Sequence, residues 1–268
     1  MPVLMGIWLR EDGKTMANAI AEVREGVDFL RYYAMEVETK FNMDSHLPLG
    51  PVVCISPWNF PVAIFTGQIT AALAAGNSVI AKPATATPLA AAKIISLLHQ
   101  AGIPNDVLHF VPGMGSEIGT KLINDPRVSG IAFTGSTETA RKINQALAQR
   151  EIIIPFIAET GGQNTMIVDS SALPEQVVND AITSAFNSAG QRCSALRVLF
   201  VQKDIAPRII ELLSGAMDEL VIGDPALLTT DIGPVINEAA KAKLQHHVER
   251  MKKEARLIKA MELPAECT

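Results

Sequence analysis

Apolar residues recur at helical spacing near the start of the chain. Between Lys14 and about Phe41 they follow one another at intervals of three or four among charged residues, at Ile20, Val23, Val27, Leu30, Ala34 and Val37. This spacing predicts a long amphipathic helix that opens the chain.

Short apolar runs then alternate with further helical patterns. The runs VVCIS, SVIA, VLHFV, VSGIAF and IIIPFIAE are separated by stretches such as VAIFTGQITAALAAG and PLAAAKIISLLHQAG. Continuous apolar strands between helices are typical of βαβ units whose strands are buried on both faces. The pattern therefore predicts an α/β fold, a Rossmann-like open parallel sheet with helices on both sides.

The alternation begins again at Asn164. The strand NTMIVD, a helix from LPEQVV, the strand LRVLFVQ, the helix IAPRIIELLSGAMDEL, a charged helix from about Asn237 to Glu254 and a last apolar run, RLIKAM, follow in that order. We predict a nucleotide-binding domain over residues 1–158 and the start of a second α/β catalytic domain over residues 159–268. The boundary falls near 158–162, where two glycines follow a carboxylate.

Composition excludes several classes of protein. The 268 residues are 48% hydrophobic and carry a formal net charge of −5, so no basic field is present that would attract a phosphate backbone. Neither a signal peptide nor a run of about 18 apolar residues is found, which predicts a soluble protein without a membrane span.

The three cysteines, Cys54, Cys193 and Cys267, lie far apart and form no CxxC pair. No metal site is therefore expected. A reducing, cytoplasmic location fits this usage best, with peripheral association of a parent protein with the inner membrane left open.

One cysteine has unusual neighbours. In SAGQRCSALRVLFV, Cys193 lies at a predicted junction between a helix and a strand, beside Gln191 and Ser194, which are poor material for a dry core. Arg192 next to the thiol would favour its ionised, nucleophilic form. The alternative is that Cys193 is a small buried hydrophobic residue.

Two other polar residues follow predicted strands. In ISPWNFP, Pro57 and Pro61 fix a turn, so that the amide of Asn59 could donate to an oxyanion; the alternative is that Asn59 caps the next helix. In IAETGGQN, Glu159 ends an apolar strand, and a half-buried carboxylate there would suit a general base. The alternative is a turn residue in solvent.

Two glycine turns and one lysine complete the candidates. VPGMGSEIG (111–119) and FTGSTETA (133–140) each follow a strand and open a helix, where N–H groups attract phosphates. Lys82, in KPATATP, ends a third strand. Taken singly, such glycine patterns are weak signals, and a structural turn is the favoured interpretation.

Together and in this order, PWNFP, KPA, FTGST, ETGGQN and GQRCSA resemble the motifs of the NAD(P)-dependent aldehyde dehydrogenases, over nearly the whole chain. The stretches NAIAEVREGVDFLRYYA and AETGGQNTMIVDSSALPEQVV most resemble the dehydrogenase module of the bifunctional proline-utilization family, which oxidises glutamate semialdehyde to glutamate.

The resemblance implies a catalytic set. Cys193 would attack the aldehyde to give a thiohemiacetal and then a thioester. The amide of Asn59 and the N–H of Cys193 would hold the oxyanion, and Glu159 would activate the hydrolytic water. The substrate contacts would be Phe60, Arg192 and Ser194.

It also implies a cofactor cleft. Lys82 would contact the adenosine ribose, and Gly135 and Ser136 would face the pyrophosphate. The remaining cleft would be lined by Ser56, Trp58, Gly113, Phe133 and Gly161. Many family members have a glutamate where this chain has Thr85; NAD is the expected cofactor, but the 2′-phosphate of NADP would meet less repulsion here.

The family's sequences continue beyond the charged helix, so the resemblance implies a fragment. We expect a parent fused to a proline dehydrogenase domain and homo-oligomeric, and an inactive isolated chain. Two alternatives stay open: a dehydrogenase of other semialdehydes or of aldehydes in general, and a non-catalytic nucleotide-binding fragment.

Overall fold

The computed structural model describes residues 2–42 and 44–264; Cys267 lies outside these residues. The chain divides into two compact units. The first comprises the described residues up to Asp12 together with Ala19–Gly161, and the second comprises Gly13–Asn18 together with the described residues from Gly162 onward.

The first unit is built on a five-stranded parallel sheet, which confirms the predicted fold class. The strands are β1 (Pro51–Ile55), β2 (Ser78–Lys82), β3 (Leu108–Phe110), β4 (Gly130–Thr134) and β5 (Phe156–Glu159), in the order β3-β2-β1-β4-β5. The helices are α1 (Pro2–Glu11), α2 (Met16–Lys40), which begins in the second unit, α3 (Ala63–Ala74), α4 (Pro88–Gln100), α5 (Thr120–Asn124), preceded by a π-helical turn (Gly115–Gly119), and α6 (Thr137–Leu147).

Strand β1 shows why the apolar runs are continuous. Val52 and Cys54 lie in one core cluster, whereas Val53 and Ile55 lie in another. Because successive side chains of a strand point to opposite faces, a strand covered on both sides needs apolar residues at every position. The central strand of this sheet is therefore covered on both faces, as the sequence pattern predicts.

Two expectations about element boundaries are wrong. The predicted amphipathic helix, α2, does not open the chain, because α1 precedes it; Leu4 and Trp8, one turn apart, are buried in the core. The run IIIPFIAE is not a strand buried on both faces. Only its last four residues form β5 at the edge of the sheet, and Ile153 is 96% exposed.

Two carboxylates from the first helices cap the helices of the sheet. Glu11 accepts hydrogen bonds from the N–H groups of Leu89 and Ala90, both at 2.8 Å, at the start of α4. Glu22, which is 1% exposed, accepts from Val62 at 2.8 Å and Ala63 at 3.3 Å at the start of α3. Neither helix has a side-chain cap of its own, so these distant carboxylates satisfy its first N–H groups.

Replacing Glu22 is expected to destabilise the first unit. In Glu22→Ala, two buried N–H groups lose their acceptor, so the free energy of unfolding falls by about 2 to 4 kcal/mol. Glu38→Ala, at an exposed position of the same helix, is the matched control and should change it by less than about 0.5 kcal/mol. Urea titration measures both; equal, small effects would contradict the capping role.

The second unit has a two-stranded parallel sheet of β6 (Asn164–Val168) and β7 (Leu196–Val201). Helices α7 (Pro174–Phe186) and α8 (Ala206–Asp218) follow these strands, and Val168, Val177 and Ile209 form the core between sheet and helices. Helix α9 (Glu238–Glu254) has the predicted bounds, with Asn237 as its N-cap. The final apolar run RLIKAM forms no strand.

Candidate active site

The strand order of the sheet reverses direction between β1 and β4. The chain runs outward from β1 through β2 to β3 and then returns to β4 on the other side of β1. Open parallel sheets bind ligands at such a reversal point. The residues that end the five strands or follow their carboxyl ends include most of the candidates from the sequence: Ser56, Trp58, Asn59, Phe60, Lys82, Thr85, Gly113, Gly135, Ser136, Glu159 and Gly161.

The turn after β1 carries Ser56 and Asn59. The N–H of Ser56 donates to Lys82 O at 3.2 Å, and its buried hydroxyl has no hydrogen-bond partner among the described residues. Asn59 is half-buried. The alternative that Asn59 caps α3 is wrong, because the N-cap residue is Val62 and Glu22 accepts the first N–H groups of that helix.

Lys82 is a buried lysine at the end of β2. It is 4% exposed, and its Nζ donates to Pro83 O at 2.9 Å. Burial lowers the pKa of this ammonium group below the ordinary lysine value. A three-donor ammonium group and the orphaned Ser56 hydroxyl at one sheet edge suit a ligand rich in hydroxyl groups, such as a ribose.

Steric constraints explain why glycine occupies these two turns. A Cβ at Gly135 would lie 2.6 Å from the ring of Phe133, which is buried in the core. Gly113 has φ +147°, and a Cβ there would clash with the side chain of Ile118. Ser136 is the N-cap of α6 and accepts from the N–H of Thr139 at 3.2 Å. Both turns lie directly before a helical segment, and the backbone N–H groups at the start of a helix attract anions.

Thr85, in the turn after β2, is exposed, and its hydroxyl donates to Gly113 O at 3.5 Å. This long hydrogen bond joins the turn after β2 to the loop after β3. No carboxylate occupies position 85.

Glu159 ends β5 beside Thr134, and its carbonyl accepts the N–H of Gly135 at 3.1 Å. Its side chain is exposed, so the expectation of a half-buried carboxylate is wrong. The reason is that β5 is the edge strand, with three of its four residues exposed.

The candidate nucleophile belongs to the second unit. Cys193 is exposed, between a short 3₁₀ turn (Asn187–Gly190) and β7. The alternative of a buried hydrophobic Cys193 is therefore wrong. Cys54, by contrast, is buried in β1, and this burial raises the pKa of its thiol to about 12. Arg192 is half-buried and Ser194 exposed.

The side chains that hold the Cys193 segment carry no recognisable signal in the sequence. Asn164 Nδ2 donates to the carbonyl oxygens of Cys193 at 2.7 Å and Ala195 at 2.9 Å, and Arg197 Nη2 donates to Gly190 O at 2.7 Å. Asn164 and Arg197 are already inside the quoted motifs, but no periodicity or spacing signals a side chain that bonds backbone carbonyls across a loop.

Within residues 2–42 and 44–264, no group of three or more histidine, cysteine or acidic side chains could hold a metal ion. Over the same ranges, every helix is too short or too polar to cross a membrane.

Comparison with known proteins gives a consistent result. The model of the Aldehyde dehydrogenase family matches residues 3–265. The chain is 58% identical over 260 residues to the bifunctional protein PutA of Escherichia coli strain K12, covering 96% of this chain and 20% of that protein. It is 38% identical over 268 residues to a 1-pyrroline-5-carboxylate dehydrogenase of Bacillus cereus, covering 94% of this chain and 52% of that protein.

Among solved structures, a mutant of proline utilization A (PutA) from Bradyrhizobium japonicum superposes with a TM-score of 0.94 at 52% identity, covering 98% of this chain and 29% of that chain. The chain thus spans a fifth of the Escherichia coli relative and about half of the Bacillus cereus one.

Proposed function

The chain belongs to the aldehyde dehydrogenase family, and from this premise we propose that it provides the nucleophile and the nucleotide cleft of an enzyme that oxidises glutamate semialdehyde to glutamate in proline catabolism. The substrate is proposed from the similarity to PutA and 1-pyrroline-5-carboxylate dehydrogenase. The cofactor is proposed as NAD.

The observation that carries the proposal is the contrast between two thiols. Cys193 is exposed in a loop whose carbonyl groups are held by side chains, whereas Cys54 is sealed in the sheet. An exposed thiol on a fixed backbone can reach an electrophilic carbon without loss of orientation. We therefore assign the nucleophile to Cys193.

In the proposed reaction, the ionised sulfur of Cys193 attacks the aldehyde carbon, and the carbonyl electron pair moves to oxygen. The amide of Asn59 and the N–H of Cys193 donate to this oxyanion. As the pair returns to carbon, hydride leaves and a thioester forms. Glu159 then takes a proton from water, which attacks the thioester carbon and releases glutamate and the thiolate.

When bound, NAD supplies the hydride acceptor. Lys82 and Ser56 would bind its ribose, because both are buried polar groups with donors to spare. Ser136 and Gly135 would face the pyrophosphate at the start of α6. Thr85 in place of a carboxylate leaves room for a 2′-phosphate, so activity with NADP is part of the test.

The test compares aldehydes and cofactors on the protein encoded by the whole gene. Formation of reduced nicotinamide is followed with glutamate semialdehyde, succinic semialdehyde and a simple aliphatic aldehyde, each with NAD and NADP. We expect the highest kcat/KM with glutamate semialdehyde and NAD. A preference for the aliphatic aldehyde would overturn the proposed substrate. The 268-residue chain, run in parallel, shows whether it is catalytic by itself.

Lys82→Met is expected to weaken NAD binding and to stabilise the folded protein at neutral pH. Loss of a charged donor should weaken NAD binding about tenfold or more by calorimetry. Because burial lowers the Lys82 pKa, the folded state disfavours the charged form, and this destabilisation is fully present below the lowered pKa. It is relieved as pH rises toward the unfolded value of about 10.4.

The Tm of Lys82→Met should therefore exceed that of the parent at neutral pH, and the difference should shrink at alkaline pH. Lys40→Met is the control: it removes an exposed lysine whose ion pair with Glu36 lies on the surface, so it should leave NAD affinity unchanged and alter the Tm only slightly. Unchanged NAD affinity in Lys82→Met would remove Lys82 from the cleft.

A further inference from the structure

The segment before the nucleophile has an unusual backbone. Ser188 and Ala189 both have φ 54°, and Gly190 has φ 68°. Residues other than glycine seldom adopt this left-handed region, and it persists only where surrounding contacts over-determine it. A Cβ at Gly190 would lie 2.8 Å from Ala185 O. The conformation of the segment 187–195, the Cys193 loop, must therefore be held by specific contacts.

Three side chains supply those contacts through backbone groups of the loop. Asn164 Nδ2 donates to Cys193 O at 2.7 Å and Ala195 O at 2.9 Å, and Arg197 Nη2 donates to Gly190 O at 2.7 Å and Arg192 O at 3.3 Å. The amide of Gln191 donates to Ser188 O at 3.1 Å and Pro234 O at 3.3 Å and accepts the N–H of Ile236 at 2.9 Å.

A β-bulge places Arg197 in position for this task. Asn164 pairs with Leu196, but the next residue, Thr165, pairs with Val198. Arg197 is therefore an extra residue in β7, outside the register of the two strands. Bulges of this kind bend a strand and redirect a side chain, and they are frequent beside active sites.

The orientation of two peptide groups follows. In a planar trans peptide, the carbonyl and the N–H point in opposite directions. The carbonyl of Arg192 accepts from Arg197 and from the N–H of Ala195 at 3.2 Å, so the N–H of Cys193 points away from both donors. The next peptide is fixed through the bond from Asn164 to Cys193 O.

We propose that Arg197 and Asn164 are positioning residues, which fix the peptide groups on either side of Cys193 so that its N–H is presented to an oxyanion. The inference rests on the proposed function, in which this N–H is one of two oxyanion donors. Neither side chain touches the substrate; each acts through the backbone of the nucleophile.

The test uses two reagents for the same thiol in the whole protein. Acylation by p-nitrophenyl acetate passes through a tetrahedral oxyanion, whereas alkylation by iodoacetamide displaces iodide without one. In Arg197→Met and in Asn164→Asp, we expect acylation of Cys193 to slow about tenfold or more while alkylation changes less than about threefold. Mass spectrometry of the cysteine peptides assigns each rate to Cys193. Arg197→Lys, which keeps a donor, should restore part of the acylation rate.

Arg208→Met is the matched control, since Arg208 on α8 pairs only with the exposed Glu175 and Glu211 among the described residues. Equal losses in acylation and alkylation would overturn the inference, because they would mean that the two residues only keep the loop folded. No loss in either rate would overturn it as well. If acylation responds as expected but the parent protein oxidises no aldehyde, the proposed function fails and the positioning role stands.

Discussion

Alanine at position 193 is expected to lower kcat for glutamate semialdehyde oxidation by about a thousandfold or more in the whole protein. The reason is that the covalent intermediate needs a nucleophile, and the other described thiol, Cys54, is buried with its pKa raised to about 12. Binding of NAD should be unchanged, because the proposed nucleotide contacts all lie in the first unit. Steady-state kinetics and calorimetry measure the two effects.

Cys54→Ala is the matched control for Cys193→Ala. It removes a buried sulfur from the core, so it should lower the free energy of unfolding by about 1 kcal/mol and leave kcat nearly unchanged. Turnover by Cys193→Ala within tenfold of the parent would show that another group attacks the aldehyde, and the proposed mechanism would then be wrong.

The strands that helices cover on both faces could be predicted from the sequence. Strands β1, β2 and β4 appear as apolar runs because helices cover both faces of the sheet. The predicted strand IIIPFIAE is longer than β5. The whole run is apolar like the other strands, but only Phe156–Glu159 pairs with β4. Composition reports hydrophobicity, whereas the end of a strand depends on the partner that is available to it.

Helix α1 was missed although its sequence carried the signal. Leu4 and Trp8 are one helical turn apart and both are buried, so the stretch PVLMGIWLR has a short apolar face. Helix α2 was predicted because its apolar positions, from Ile20 to Val37, recur over about five turns. Met5 and Ile7 pack against the same core, but a face on a helix of ten residues is too short to stand out from chance.

The candidate site was likewise only partly predictable from the sequence. The residues after strands β1, β2, β4 and β5 could be placed at one edge, because parallel strands bring their carboxyl ends together. The supporting contacts could not: Glu22 bonds Val62, 40 residues away, and Glu11 bonds Leu89, 78 residues away. Such contacts depend on how helices pack on the sheet, and no local pattern encodes them.

Asn59→Ala is expected to lower kcat by about 100- to 1,000-fold, equivalent to about 2.7 to 4 kcal/mol of oxyanion stabilisation. The loss should fall on kcat and on kcat/KM alike, since the amide is proposed to bind charge that develops only during attack. Affinity for NAD should be unaffected.

The capping of α3 gives a reason why Asn59→Ala should lower kcat without unfolding this helix. Asn59 lies in the turn before α3, but the start of this helix is capped by Glu22, so removal of the amide leaves the cap in place. Asn59→Ala should therefore keep the capped start of α3 and fold, as should Asn105→Ala, an exposed loop control. A stable Asn59→Ala protein that keeps the parent's kcat would remove the amide from the oxyanion site and leave the N–H of Cys193 as its single proposed donor.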